Sequence, residues 1–241
     1  MPEIIAKNLT KKYKDKTAVD SLDLKIADGE LFSLLGVNGA GKTTTVKMLS
    51  TLIKPTSGDI LYDAQSISSH KNEIRAIINV SPQETSVAPN LSVIENLYFM
   101  AGVYEIDNKK QKIDELTEIF DLKEVLKQKA RTLSGGWQRK LSIAMALIND
   151  PKVLYLDEPT LGLDVLARRE LWHIIEGLKK TITLVLTTHY MEEAENLSDR
   201  VGIMAHGKLK CVGTPAELIE QTGSMGFEEA FVKIASEGEA R

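Results

Sequence analysis

Eight consecutive residues, Gly36-Val37-Asn38-Gly39-Ala40-Gly41-Lys42-Thr43, restrict the fold of this chain more than any other feature. They match the pattern G-x-x-x-x-G-K-[ST], and their setting fits it: the apolar run Leu31 to Leu35 precedes them and a helical stretch, Thr43 to Leu52, follows. A buried strand, a glycine turn and a helix in that order aim the turn's N–H groups and the positive helix end at one point. The ligand such a point selects is a phosphate. Lys42 would reach the β- and γ-phosphates of a nucleotide, and Thr43 would offer its hydroxyl to Mg²⁺.

The remaining pattern predicts an α/β chain built around that loop. Leu22, Leu24 and Ile26 alternate with polar residues, as in a half-buried antiparallel strand. Short strands are expected at Ile60 to Tyr62 and Ile77 to Val80, and buried parallel strands at Val153 to Leu156 and Thr183 to Thr188. A helix from Val165 to about Lys180 separates the last two. Between Ser92 and Asn149 apolar residues recur at helical spacing, as in Val93, Leu97 and Met100, then Ile113, Leu116 and Phe120. This predicts an inserted helical lobe, residues 89–149, in a core formed by 1–88 and 150–241. The tail reads as a hairpin at His206-Gly207, a helix opened by Pro215 and an amphipathic helix carrying Phe227, Phe231 and Ile234.

A second acidic group follows the strand at Val153 to Leu156. Ligands of open α/β sheets sit outside the carboxyl ends of the strands, so Asp157 is placed to hold a metal and Glu158 to polarise an attacking water. Bulk properties narrow the partners. A net charge of −4 and a pI near 5.7 give no electropositive field for nucleic acid, so none is expected as a partner. The single cysteine, Cys211, cannot form an internal disulfide and fits a reducing compartment. No window approaches the roughly 20 apolar residues that cross a bilayer, and no secretory signal is evident at the N-terminus.

Leu133-Ser134-Gly135-Gly136, followed by Gln138-Arg139 and an apolar-faced helix, narrows the class further. With this loop the chain resembles the ABC ATPase family, from about Ile4 to Gly213, and the fold implied is a P-loop NTPase core with an antiparallel β subdomain and the helical lobe. The resemblance makes Tyr13 the aromatic that stacks on adenine, Gln83 the glutamine loop, Leu161-Gly162-Leu163-Asp164 the aspartate loop and His189 the switch histidine. Nucleotide contacts then come from Tyr13, Gly36, Asn38, Gly39, Ala40, Gly41, Lys42, Thr43 and Thr44. Ser134, Gly135, Gly136 and Asp164 would act across a dimer. Glu158, His189, Gln83 and Lys42 form the implied catalytic set, and Thr43, Gln83 and Asp157 the implied metal set.

What the resemblance implies is Mg²⁺-dependent ATP hydrolysis in a nucleotide-dependent dimer, homo- or heteromeric, that closes on ATP and opens after hydrolysis. The expected partner is a membrane-spanning permease subunit, which places the chain at the cytoplasmic face of the cell membrane. Leu91 to Leu97 and Thr188 to Glu195 look most like drug, antibiotic or polysaccharide exporters. The rival is a soluble ABC ATPase acting on nucleic acid or ribosomes; its usual second cassette, coiled-coil insertion or zinc module is not seen. One departure is Trp137, which stands where the family's signature continues with glutamine and displaces Gln138 by one place.

Overall fold

Strands buried at every position need cover on both faces, and three of them form the centre of the molecule. The computed structural model describes residues 1–179 and 181–236. A hairpin opens the chain, β1 (Ile4–Tyr13) and β2 (Lys16–Ile26), before the first fully buried strand, β3 (Leu31–Leu35), and helix α1 (Lys42–Leu49). Next come β4 (Ser57–Tyr62), β5 (Gln65–Ser66), α2 (Lys71–Ile77) and β6 (Ile78–Ser81). Helices α3 (Val93–Val103), α4 (Lys109–Ile119) and α5 (Gly135–Ala146) follow, with short 3-10 turns at Lys123–Val125 and Ala130–Thr132. The chain then alternates β7 (Val153–Asp157), α6 (Val165–Leu178), β8 (Thr183–Thr188) and α7 (Met191–Leu197). It ends in β9 (Arg200–Ala205), β10 (Lys208–Gly213), α8 (Pro215–Thr222) and α9 (Phe227–Ser236).

The strands form an antiparallel sheet ordered β2-β1-β4-β5 and a six-stranded sheet ordered β10-β9-β3-β8-β7-β6. In the larger sheet β9, β3, β8, β7 and β6 run parallel and β10 is antiparallel at one edge. Period-two alternation divides its side chains between two cores. Leu31, Leu154, Leu156, Leu184 and Leu186 face the helices and pack with Val93, Leu97, Phe120 and Leu141. Phe32, Leu34, Val153, Tyr155 and Val185 face the smaller sheet and α1, meeting Ile4, Leu22, Leu24, Ile60 and Val46. Each such leucine or valine contributes roughly 1.5–3 kcal/mol when buried. Segment 93–146 therefore shares one apolar cluster with a face of the sheet. On the second face Tyr155 and Tyr62 meet through their hydroxyls, and Tyr62 donates to Leu49 O at 2.8 Å, tying both sheets to α1.

Local signals set the helix starts. Ser92 and Glu95 form a reciprocal capping box at α3, Thr214 and Glu217 repeat it at α8, and Asp164 caps α6. Three expected boundaries shift. Helix α1 stops at Leu49, because Ser50 Oγ bonds back to Val46 O at 2.7 Å and Thr51 adopts φ 60°, so Leu52 lies outside it. Ile77 closes α2 rather than opening β6. Helix α6 runs to Leu178, and Lys180, its expected end, lies outside the described residues.

Candidate functional site

The register of the large sheet decides where its chemistry emerges. Leu35 pairs with Thr188, and Asp157 with Thr187, so the carboxyl ends of β3, β7 and β8 finish level. The phosphate loop, Glu158 and His189 leave the sheet at that edge. They open onto a cleft of about 470 Å³ lined by Asn38, Gly39, Ala40, Gly41, Lys42, Thr43, Thr44, Gln83, Glu158 and His189, with Lys16, Ala18 and Leu161 completing it. A cavity of about 560 Å³, near Leu116, Leu147 and His173, holds none of these groups.

Two glycines of the loop are set by close backbone approach. A Cβ on Gly36 would come 2.4 Å from Met204 O, and one on Gly41 would come 2.5 Å from Ala18 O, where φ is already +105°. Thr45 N–H closes onto Gly41 O at 2.9 Å, so the amides of Lys42, Thr43 and Thr44 form the first turn, the part of a helix that lacks ladder partners. Lys42 is buried; its Nζ donates to Gly36 O at 2.7 Å and Val37 O at 3.3 Å and lies 3.7 Å from Glu158 Oε1. Burial lowers its pKa below the usual lysine value, against the opposing pull of the Glu158 and Asp157 carboxylates.

Asp157 is buried and its Oδ1 accepts twice, from Thr43 Oγ1 at 3.0 Å and from Thr187 Oγ1 at 2.5 Å. Glu158 follows with φ 47°, a costly conformation for a residue with a side chain and one that concentrates at functional sites. Its amide donates to Thr187 Oγ1 at 3.0 Å, and its Oε2 lies 3.0 Å from His189 Nδ1. Gln83 is exposed at the cleft wall. The backbone there is gripped by buried Arg139 of α5, which donates to Pro82 O at 2.7 Å and Gln83 O at 2.5 Å.

The donor set suits Mg²⁺: a hydroxyl and a carboxylate oxygen 3.0 Å apart, with no cluster of three or more His, Cys, Asp or Glu among the described residues that could hold a metal. Hard oxygens in small number, completed by substrate phosphates, are how Mg²⁺ is commonly bound.

The other expected residues lie elsewhere. Tyr13 is exposed at the end of β1, with Lys11 Nζ 5.1 Å from its ring centroid, and pairs across the hairpin with Lys16 of the cleft. Ser134 stands at the exposed N-terminus of α5, without a side-chain cap bond among the described residues. Gly136 lets α5 approach α6, since a Cβ there would come 3.1 Å from Ala167 Cβ, and Gly135 lies against Leu163. Asp164 accepts from Leu166 N at 2.9 Å and Ala167 N at 3.0 Å. The Ser134 loop and the Asp164 loop are thus neighbours; neither Ser134 nor Asp164 lines the phosphate-loop cleft, although Leu161 at the start of the aspartate loop does. Gln138, displaced by Trp137, fastens the approach to α5 by donating to Ala130 O at 3.1 Å and Leu133 O at 3.2 Å.

Sequence reasoning singled out neither Thr187 nor Arg139. The visible signals were a polar end to an apolar strand and two adjacent cations, Arg139 and Lys140, ahead of the largely apolar run Leu141 to Ala146.

A phosphate-loop cassette of the ATP-hydrolysing kind is the class that this sheet edge and its cleft define. The family model described as "ABC transporter" matches residues 19–161. The human phospholipid-transporting ATPase ABCA3 is 41% identical over 233 residues, covering 94% of this chain and 14% of that protein. The probable multidrug ABC transporter ATP-binding protein YbhF of Escherichia coli is 39% identical over 239 residues, covering 96% of this chain and 41% of that one. Among solved structures, the ATP-binding subunit of an ABC transporter superposes with a TM-score of 0.84 at 26% identity, covering 96% of this chain and 98% of the other. The dimeric cassette MJ0796, in a post-hydrolysis state with ADP and Pi, does so at 0.79 and 26%, covering 88% and 98%. The chain belongs to the ABC transporter family, as an ATP-binding cassette, and it spans less than half the length of the human and bacterial relatives named here.

Proposed function

We propose that this cassette hydrolyses ATP with Mg²⁺ and uses the cycle to drive transport through a separate membrane-spanning permease, from the cytoplasmic face of the membrane. The observation that carries this reading is the convergence on one cleft of Lys42, the Thr43–Asp157 pair and the Glu158–His189 pair. Phosphate-loop amides and Lys42 bind and orient the nucleotide's β- and γ-phosphates. Thr43 and Asp157, with Gln83, would hold Mg²⁺, which when bound would neutralise phosphate charge. Glu158 orients the attacking water and accepts its proton as the new P–O bond forms and ADP leaves with the electrons of the old one. His189 fixes the Glu158 carboxylate through Nδ1.

In this reading Ser134, Gly135, Gly136 and Asp164 serve a second copy or a homologous subunit. They lie near one another and none of them lines the cleft of their own chain, which suits closure of two chains over two nucleotides. Tyr13, one hairpin pair from Lys16, would stack on the adenine. Among the described residues no helix is long and apolar enough to cross a membrane.

The test is twofold. Purified protein should release phosphate from ATP only with Mg²⁺, and a cognate permease co-expressed with it should draw it into the membrane fraction. Sedimentation with ribosomes, or a shift of DNA in a gel, would instead favour an ATPase that acts on nucleic acid.

A further inference from the structure

Glu158 holds His189 at Nδ1 alone, and an imidazole held at one atom can still turn about that contact. Its ring meets Tyr190, the next residue, with ring centroids 4.1 Å apart and planes tilted by 40°. Rings at such a distance attract each other and restrict each other's rotation. Tyr190 N donates to Thr188 Oγ1 at 2.9 Å, which fixes the backbone between the end of β8 and the start of α7. The Tyr190 ring is packed in turn by Arg168 of α6, whose guanidinium carbon lies 5.6 Å from its centroid and 5.5 Å from that of Trp172. Both distances are within the range at which a cation is drawn to an aromatic ring. Trp172 is itself pinned, because its indole Nε1 donates to buried Glu193 Oε1 at 3.1 Å.

We infer that Tyr190 is a positioning residue for ATP hydrolysis: its ring holds the His189 imidazole against Glu158, and Arg168 holds that ring to α6. The polar contacts of Arg168 are sparse for a side chain that is largely buried. Its Nη2 lies 3.4 Å from Glu192 Oε2, its charge acts on the nearby Glu193 carboxyl, and its Nε is buried with no hydrogen-bond partner among the described residues. Buried donors are normally paired, so the guanidinium owes its place to the two rings and the two α7 carboxyls rather than to a full set of hydrogen bonds. The backbone of Arg168 is fixed at the other end, where its N–H donates to Asp164 O at 3.0 Å. Tyr190 and Arg168 thereby join His189 to the helix that Asp164 opens.

This inference rests on the proposed ATPase reading, and the experiment separates the two. In the full chain, kcat and KM for Mg²⁺-ATP are measured for the wild type, Tyr190→Phe, Tyr190→Leu, Arg168→Met and the reference Glu158→Gln. Tyr190→Leu and Arg168→Met are also measured on a His189→Ala background. Phenylalanine keeps the ring and both of its contacts, so Tyr190→Phe should keep kcat within about twofold. Tyr190→Leu should lose about ten- to a hundredfold in kcat at unchanged KM, the scale of a misplaced catalytic group, and Arg168→Met about three- to tenfold. On His189→Ala neither substitution should lower kcat further by more than about twofold, because no imidazole is left to place. A full additive loss on that background would show that Tyr190 serves the local fold rather than the histidine and would overturn the inference. Tyr190→Leu with undiminished kcat, or Tyr190→Phe as impaired as Tyr190→Leu, would overturn it too. Should His189→Ala show no measurable turnover, or Tyr190→Leu fail to fold, the remaining variants decide. A loss of more than about tenfold in Tyr190→Phe, or an undiminished kcat in Arg168→Met, then overturns it. Undiminished hydrolysis by Glu158→Gln would strike the ATPase reading instead.

Discussion

Lys42 occupies a place where burial and charge oppose each other. Its ammonium is desolvated, held by two loop carbonyls and 3.7 Å from Glu158, so a nucleotide's phosphates would supply anionic partners that Glu158 gives only in part. Lys42→Ala removes the cation and leaves Glu158 buried without it. Phosphate release should fall by about a hundredfold or more, and ATP affinity should weaken in a direct titration. Lys42 and its loop were readable because their meaning is local: eight contiguous residues with a strand before and a helix behind. Asp157 and Glu158 were readable for the same reason, as the end of an apolar strand. Thr187 and Arg139 were not. Thr187 reaches Asp157 only because β7 and β8 pair in the register Asp157 with Thr187, and Arg139 reaches the Gln83 backbone only because α5 packs beside β6.

At the level of elements, sequence legibility follows burial. Strands β3, β7 and β8 are buried along their whole length and read as continuous apolar runs. Strand β1 escaped because its alternation is broken: Asn8 adopts φ 48°, and the pairing with β2 shifts register between Ala6 and Leu9. Helix α2 escaped because Ile74 is its single buried residue, too few to show a period. Helix α6 shows an element with two duties. Asp164 closes two of its first amides, and the same loop lies beside Gly135 on the exposed surface. Asp164→Ala should cost about 1 kcal/mol through the lost cap, lowering the melting temperature by about 2–4 °C in calorimetry. If the loop also meets a second subunit, ATP-dependent association should weaken further than that loss of stability explains.

For the whole molecule, the division of the site is the central point. The cleft gathers one set of groups around the phosphate loop, while Ser134 and Asp164 occupy a separate surface of the same chain. That arrangement makes sense as two half-sites, each completed by another cassette, and it explains why Ser134 and Gly135 stand exposed at a helix N-terminus. Glu158→Gln tests this most directly. It keeps the shape of the side chain but removes the carboxylate, so hydrolysis should fall by roughly 10²- to 10⁴-fold while ATP still binds. Unhydrolysed ATP should then hold two chains together, doubling the mass seen by light scattering when ATP is added. Adding Ser134→Arg should return the protein to a monomer that still binds ATP. A Glu158→Gln protein that binds ATP and stays monomeric at every protein concentration, alone and mixed with a homologous cassette subunit, would contradict the account.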